Sequence, residues 1–220
     1  MALALAQDRP AGDVWTMPDD MYETRFGARG RLRIAGIDEV GRGPWAGPVV
    51  AAAVVLDPAA IPEGLDDSKK LSPNRREALY AQLFEAAEIG LGEATVEEID
   101  RLNILQASFV AMRRAIDALP VPPGHLLIDG NRLPTGLPCP ATPVVGGDGL
   151  SVSIAAASIV AKVARDRTMV TLAQQHPHYA WESNKGYGTT AHHVGLKSHG
   201  VTPHHRRSFK PIHKILYQEN

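Results

Sequence analysis

Short apolar runs and long runs of helical spacing alternate along this chain, and the alternation predicts its elements. Runs too short for helices, rich in Val, Ile and Ala, lie at Leu32–Asp38, Val49–Leu56, Ile89–Val96, His125–Ile128 and Thr142–Val145, and each predicts a strand. Between them the period lengthens. Ser72-Pro73 opens a helix to about Ala87, with Leu79, Leu83 and Ala86 or Ala87 inward, because serine caps and proline suits the first turn. Thr95-Val-Glu-Glu98 is a capping box, and Ile99, Leu102, Leu105, Phe109, Met112 and Ile116 repeat behind it as one continuous helix. Pro120 to Gly124 stops that helix, and an Ala-rich helix runs from about Ser153 to Gln174. Residues 1–30 mix Pro, Gly and charge without a sustained period, which predicts a loosely ordered arm with one short helix near Met21–Phe26.

This order has a topological consequence. Helices separate the strands after residue 97, so those strands should run parallel, whereas the pair around the glycine turn after Asp38 can run antiparallel. The expected fold is α/β, a mixed sheet with helices on both sides. The small residues of Val49–Leu56 suit a strand covered on both faces.

Charge adds an asymmetry that the net value of −1 conceals. Residues 1–150 carry 14 Lys+Arg against 21 Asp+Glu, and residues 151–220 carry 9 against 3. An acidic part beside a basic one suits an enzyme that holds cations on one surface and a polyanion on another, although simple intramolecular attraction would also fit. The one cysteine, Cys139, excludes a disulfide framework and a thiolate metal cluster. No apolar run reaches the roughly 20 residues of a membrane span, and the opening residues lack a charged n-region, so a cytoplasmic protein is expected.

The candidate chemistry sits at strand ends. Asp38 and Glu39 close the first strand, Asp129 follows the strand at Ile128, and Asp148 stands just past Val145. In open α/β sheets, sites collect beyond the carboxyl ends of strands, so neighbouring strands of matching direction would bring these acids together. Carboxylates that close raise one another's pKa, and oxygen-only ligands call for hard cations such as Mg²⁺. The chemistry indicated is metal-dependent phosphodiester hydrolysis with two ions. Plainer roles compete: Asp38-Glu39 salt-bridged to Arg42, Asp148 as a helix cap, Asp129 as a turn cap. Gly41-Arg42-Gly43-Pro44 does not fit a dinucleotide loop, since it contains proline and leads into a strand. Eight histidines fall between His176 and His213, but His192-His193 and His204-His205 are sequence neighbours without zinc-motif spacing and should face phosphate or solvent beside Arg206, Arg207 and Lys210.

Seven segments, in order over residues 32 to about 215, resemble the ribonuclease HII family. They are Gly36-Ile-Asp-Glu-Val-Gly-Arg-Gly-Pro-Trp-Ala-Gly-Pro48, Asp67-Ser-Lys-Lys-Leu-Ser72, Ile128-Asp-Gly-Asn131, Gly147-Asp148, Ile154-Ala-Ala-Ala-Ser-Ile-Val-Ala-Lys-Val-Ala-Arg-Asp166, Lys185-Gly-Tyr-Gly188 and His204-His-Arg-Arg-Ser-Phe209. The first and fifth are long enough to be highly specific. Ala164 departs from the family's more usual threonine.

The resemblance implies a ribonuclease H-like mixed five-stranded sheet flanked by helices, with a C-terminal helical region. After the arm over 1–30, which has no family motif to match, the expected organisation is a catalytic domain over 31–180 and a C-terminal helical, basic substrate-binding region over 181–220. The implied activity is cleavage of RNA in RNA/DNA hybrids and 5′ of single ribonucleotides in duplex DNA, leaving 3′-OH and 5′-phosphate ends. Asp38, Glu39, Asp129 and Asp148 are the implied catalytic ligands of two Mn²⁺ or Mg²⁺ ions. Gly41, Arg42 and Gly43 would read the 2′-hydroxyl, Tyr187 would meet the following deoxyribose, and Lys69, Lys70 and Lys162 would contact phosphate. For Lys162, a lysine merely snorkelling along its helix is an alternative. The partner is nucleic acid, with no membrane, a monomer by default and no protein partner read from the sequence.

Overall fold

The computed structural model describes residues 17–27 and 32–217. Its centre is a five-stranded mixed sheet in the order β3-β2-β1-β4-β5. The strands are β1 (Ile34–Val40), β2 (Val49–Leu56), β3 (Ala87–Ala94), β4 (His125–Asp129) and β5 (Ala141–Val144). β1 pairs antiparallel with β2, Asp38 opposite Ala52, and parallel with β4, Ile37 opposite Ile128; β4 in turn pairs parallel with β5. The expected split between antiparallel and parallel halves is present.

Alternation along the strands builds two cores. Ala35 and Ile37 of β1 with Val49, Ala51, Ala53 and Val55 of β2 meet Ala107, Ala111, Met112, Ala115 and Ile116 of helix α4 (Ile104–Asp117). On the opposite face, Ala52 and Val54 meet Leu79 and Leu83 of α2 (Pro73–Ala86) and the alanines of α5 (Val152–Gln175). Small side chains let α4 lie close on β3, where a Cβ at Gly92 would stand 2.2 Å from the Ala111 carbonyl oxygen. That contact places glycines inside a strand, where they are otherwise unfavourable.

Three expectations need correction. The predicted continuous helix after Thr95 is two, α3 (Val96–Leu102) and α4, because Asn103 turns to φ 71°, ψ 162° and caps α4 with its side chain. The strand predicted at Ile89–Val96 lies two residues earlier, since the capping box claims Thr95 and Val96 for α3. Within the arm, the expected short helix α1 (Met21–Phe26) is pinned rather than loose: Glu23 accepts hydrogen bonds from the Ser151 and Ser153 hydroxyls and the Ser153 N–H, and Phe26 stacks on His125 at 4.6 Å. The remainder of the arm falls outside the described residues.

After α5 the chain forms α6 (Trp181–Asn184), α7 (Thr190–His199) and α8 (Lys210–Tyr217). These pack through Trp181, Leu196 and Ile212 on Ala46 and Met169, so the C-terminal helices are built onto the segment that follows β1. Among the described residues no helix is long and apolar enough to cross a membrane.

Candidate active site

β1 delivers Asp38 and Glu39 to opposite faces of its last turn of pleat, while β4 ends on Asp129 beside it in parallel register. Asp148 arrives on a 3-10 turn, Gly147–Gly149, between β5 and α5. Asp129 Oδ1 accepts from the Gly147 N–H at 2.7 Å, which ties the end of β4 to that turn. Asp148 is not the cap of α5: Ser151 takes that role by accepting from Ile154 N–H.

Burial first, and neighbouring acid charge after it, raises Asp38, Glu39 and Asp129. Asp38 is 4% exposed and its pKa lies well above the ordinary 3.8, first through burial and then through the charges of Glu39, Asp129 and Asp148. Burial also raises Glu39, with Arg42 opposing at 3.1 Å. Burial raises Asp129 too, against the Gly147 hydrogen bond and together with the charge of Asp148.

Cationic side chains hold part of this charge. Lys69 Nζ lies 3.0 Å from Asp148 Oδ2; burial works against its charge, yet the bond to Asp148 prevails and its pKa is raised. Lys70 pairs with Asp66 at 3.0 Å. The loop carrying both lysines is fastened by a buried Ser68–Ser158 hydroxyl bond of 2.7 Å and by Arg76 donating to the Ser68 and Leu71 carbonyls. Lys162, on α5, is paired with Asp166 instead, at 2.6 and 2.7 Å.

The donor set fits a hard divalent cation: carboxylate oxygens only, facing one another with too little positive charge to balance them. As they stand, no three acidic, histidine or cysteine side chains among the described residues are gathered closely enough to hold a metal ion by themselves. Mg²⁺ is ordinarily held by one or two carboxylates together with substrate phosphate, so an open arrangement suits it. Beside Glu39 and Asp129 a cavity of about 350 Å³ continues between Ser108, Phe109, Met112 and Arg132.

The glycine loop after β1 is fixed by two buried arginines that sequence reasoning missed. Arg206 donates to the carbonyls of Gly41 (2.6 Å), Arg42 (3.0 Å), Gly47 (2.9 Å) and Pro48 (3.1 Å). Arg165 donates to Pro48 (2.9 Å), Ala46 (3.1 Å) and Lys185 (3.0 Å). Burial draws their pKa down to about 9 and about 10 respectively, which leaves both charged at neutral pH. With these carbonyls turned inward onto guanidinium groups, two positive charges lie directly under Gly41-Arg42-Gly43. Arg206 was expected on the basic surface; it is fully buried instead. The signal available for Arg165 was a charge inside an apolar helix, masked by its neighbours Asp166 and Arg167.

Tyr187 stands against this loop. The residue is 49% exposed, and a Cβ at Gly43 would meet its ring at 3.3 Å. Backbone bonds join the two segments, Trp45 N–H to Gly186 O at 2.8 Å and Arg206 N–H to Trp45 O at 2.8 Å. The histidines behind Tyr187 correct another expectation: His192 and His205 face neither phosphate nor solvent but are fully buried among Tyr179 and Trp181.

A mixed sheet in this strand order, with helices on both faces and acids at the ends of its central strand β1 and the adjacent β4, is the ribonuclease H-like architecture. Comparison with solved structures agrees: ribonuclease H2 of Pyrococcus horikoshii OT3 superposes with a TM-score of 0.68 at 28% identity, over 86% of this chain and 100% of that one. The ribonuclease HII of Archaeoglobus fulgidus, solved in complex with PCNA, gives 0.70 at 27% identity, over 81% and 96%. The ribonuclease HII family model matches residues 35–212, and ribonuclease HII of Ruegeria pomeroyi is 66% identical over 204 residues, 93% of this chain and 87% of the relative. The chain belongs to the ribonuclease HII family, and is an endoribonuclease of the hydrolase class.

Proposed function

We propose that the protein hydrolyses the RNA strand of RNA/DNA hybrids and cuts duplex DNA on the 5′ side of a single embedded ribonucleotide, leaving 3′-OH and 5′-phosphate ends, as a cytoplasmic step in ribonucleotide removal. The observation that carries this reading is the gathering of Asp38 and Glu39 at the end of β1, Asp129 at the end of the neighbouring parallel β4, and Asp148 on the turn whose Gly147 N–H donates to Asp129. Asp38, Glu39, Asp129 and Asp148 would hold two Mg²⁺ or Mn²⁺ ions, which when bound supply an activated water and stabilise the leaving oxygen.

The chain's own groups do the rest. Gly41, Arg42 and Gly43, stiffened from below by Arg206, offer a backbone surface close enough to a sugar to distinguish a 2′-hydroxyl from hydrogen. Tyr187, set against Gly43, covers the deoxyribose that follows the ribonucleotide. Lys69 and Lys70 reach phosphate by exchanging their carboxylate partners for it. Lys162 would have to release Asp166 to do the same.

The test is cleavage of an end-labelled DNA duplex containing one ribonucleotide, in Mg²⁺, Mn²⁺ or chelator, beside an all-DNA duplex. A metal-dependent cut immediately 5′ of the ribonucleotide and nowhere in the control is expected. Cutting confined to long hybrids would replace this reading with a broader hybrid nuclease, and binding without any cut would make the protein a hybrid-binding module.

A further inference from the structure

A directed chain of hydrogen bonds runs from α7 and the loop after it to the backbone of Tyr187. Thr202 N–H donates to His205 Nδ1 at 3.0 Å, and the Thr202 hydroxyl, which accepts from His204 N–H, lies 2.9 Å from the same nitrogen. His205 Nδ1 is therefore an acceptor, and its proton is on Nε2. That Nε2 lies 3.0 Å from His192 Nε2, which also accepts from the Trp181 indole N–H at 3.2 Å. His192 Nε2 must then be bare and its proton on Nδ1, which donates to the Tyr187 carbonyl at 3.0 Å. Each tautomer is fixed by the one before it. Burial keeps both rings neutral, holding His205 down at about 3 and lowering His192, so the chain of donors does not reverse in ordinary conditions.

Backbone bonds act on the same residue: the Tyr187 N–H donates to the Asn184 carbonyl at 2.9 Å, and the Tyr187 carbonyl that His192 meets also accepts from Thr189 N–H at 2.8 Å. A Cβ at Gly188 would stand 2.1 Å from the Trp45 indole, so the backbone after Tyr187 passes close against that ring, and the Trp45 backbone is held by Gly186 and Arg206. The Tyr187 ring, in a half-exposed residue, lies against Gly43.

We propose that His192 is a positioning residue for substrate choice: its fixed Nδ1–H tautomer holds the Tyr187 carbonyl and so sets the Tyr187 ring at the distance from Gly43 that a deoxyribose after a ribonucleotide requires. The proposal deepens the reading of Tyr187 given above and rests on it. A long hybrid offers no deoxyribose after the cut, so the relay acts on the single-ribonucleotide substrate and not on the continuous one.

Two measurements test it. Long-range ¹⁵N NMR of the full-length protein at pH 7 should show His192 protonated on Nδ1 and His205 on Nε2; the opposite tautomer at either ring, or a charged ring, overturns the relay. Steady-state cleavage of the two substrates should then show His192→Leu lowering kcat/KM about tenfold on the single-ribonucleotide duplex, mainly through KM, and less than twofold on the hybrid. His192→Asn, whose amide can still donate to the carbonyl, should recover most of that ratio. In a Tyr187→Ala background, His192→Leu should have no further effect on the ratio. Equal losses on both substrates, or additive losses with Tyr187→Ala, would make His192 merely structural and overturn the proposal. If Tyr187→Ala itself leaves the ratio unchanged while the tautomers are as stated, the reading of Tyr187 falls and the relay's role in substrate choice falls with it, whereas the hydrogen-bond chain stands.

Discussion

Asp38 is destabilising where it stands, and the cation site proposed for it would account for that cost. Its pKa is raised above the ordinary 3.8 by burial and by three neighbouring acids, so the folded protein retains a proton that the unfolded chain releases. Stability therefore falls as pH rises from about 4 through the folded-state pKa, and no such penalty exists below that window. Asp38→Asn removes the ionisable group. In chelator at pH 7 to 8 this variant should melt at a higher temperature than the parent, with the difference vanishing as pH falls below about 4, while cleavage is lost at every pH. A lower melting temperature at pH 8 in chelator would mean the carboxylate is already compensated, and the cation-site reading would fail. The position of this residue was legible in the sequence, because a carboxylate closing an apolar run has few reasons to be there. The partners of Arg206 were not legible: in a His-His-Arg-Arg run nothing distinguishes the cation that turns inward to carbonyls 158 to 165 residues away from the one that faces water.

Elements were legible where one local signal decided them. Ser72-Pro73 and Thr95-Val-Glu-Glu98 each start a helix by hydrogen bonds within a few residues, and both caps form as expected. The break at Asn103 was hidden because Ile99, Leu102, Leu105 and Phe109 keep helical spacing across it. Backbone at φ 71°, ψ 162° is a region reached almost solely by glycine and strained for other residues by about 1–3 kcal/mol. Asn103 offsets part of this by accepting from the N–H groups of Leu105 and Gln106. Asn103→Ala keeps the strain and loses the cap, and should cost about 1–2 kcal/mol in urea unfolding. Asn103→Gly trades the cap for relief of strain and should lie closer to the parent. If alanine is as stable as asparagine, the two helices have merged into the one that periodicity suggested.

At the scale of the whole molecule, the charge asymmetry between residues 1–150 and 151–220 is real but overstates the surface available to a polyanion. Of the nine cations in the later part, Arg165 and Arg206 are buried under the glycine loop, Lys162 is paired with Asp166, and Arg167 is paired with Glu77. Lys197, Arg207, Lys210 and Lys214 remain exposed, Arg207 and Lys210 of them close in sequence to the buried Arg206. A cation on phosphate releases counter-ions and adds about 0.9 to the slope of log affinity against log salt, whereas a cation bonded to backbone carbonyls contributes nothing to that slope. Binding of a ribonucleotide-containing duplex, measured in Ca²⁺ or with the Asp38→Asn variant to prevent cleavage, should therefore lose about one unit of slope in each of Arg207→Gln and Lys210→Gln. If both variants keep the parent slope, the duplex does not lie on this face, and the basic character of the C-terminal helices serves their attachment to the acidic remainder of the chain.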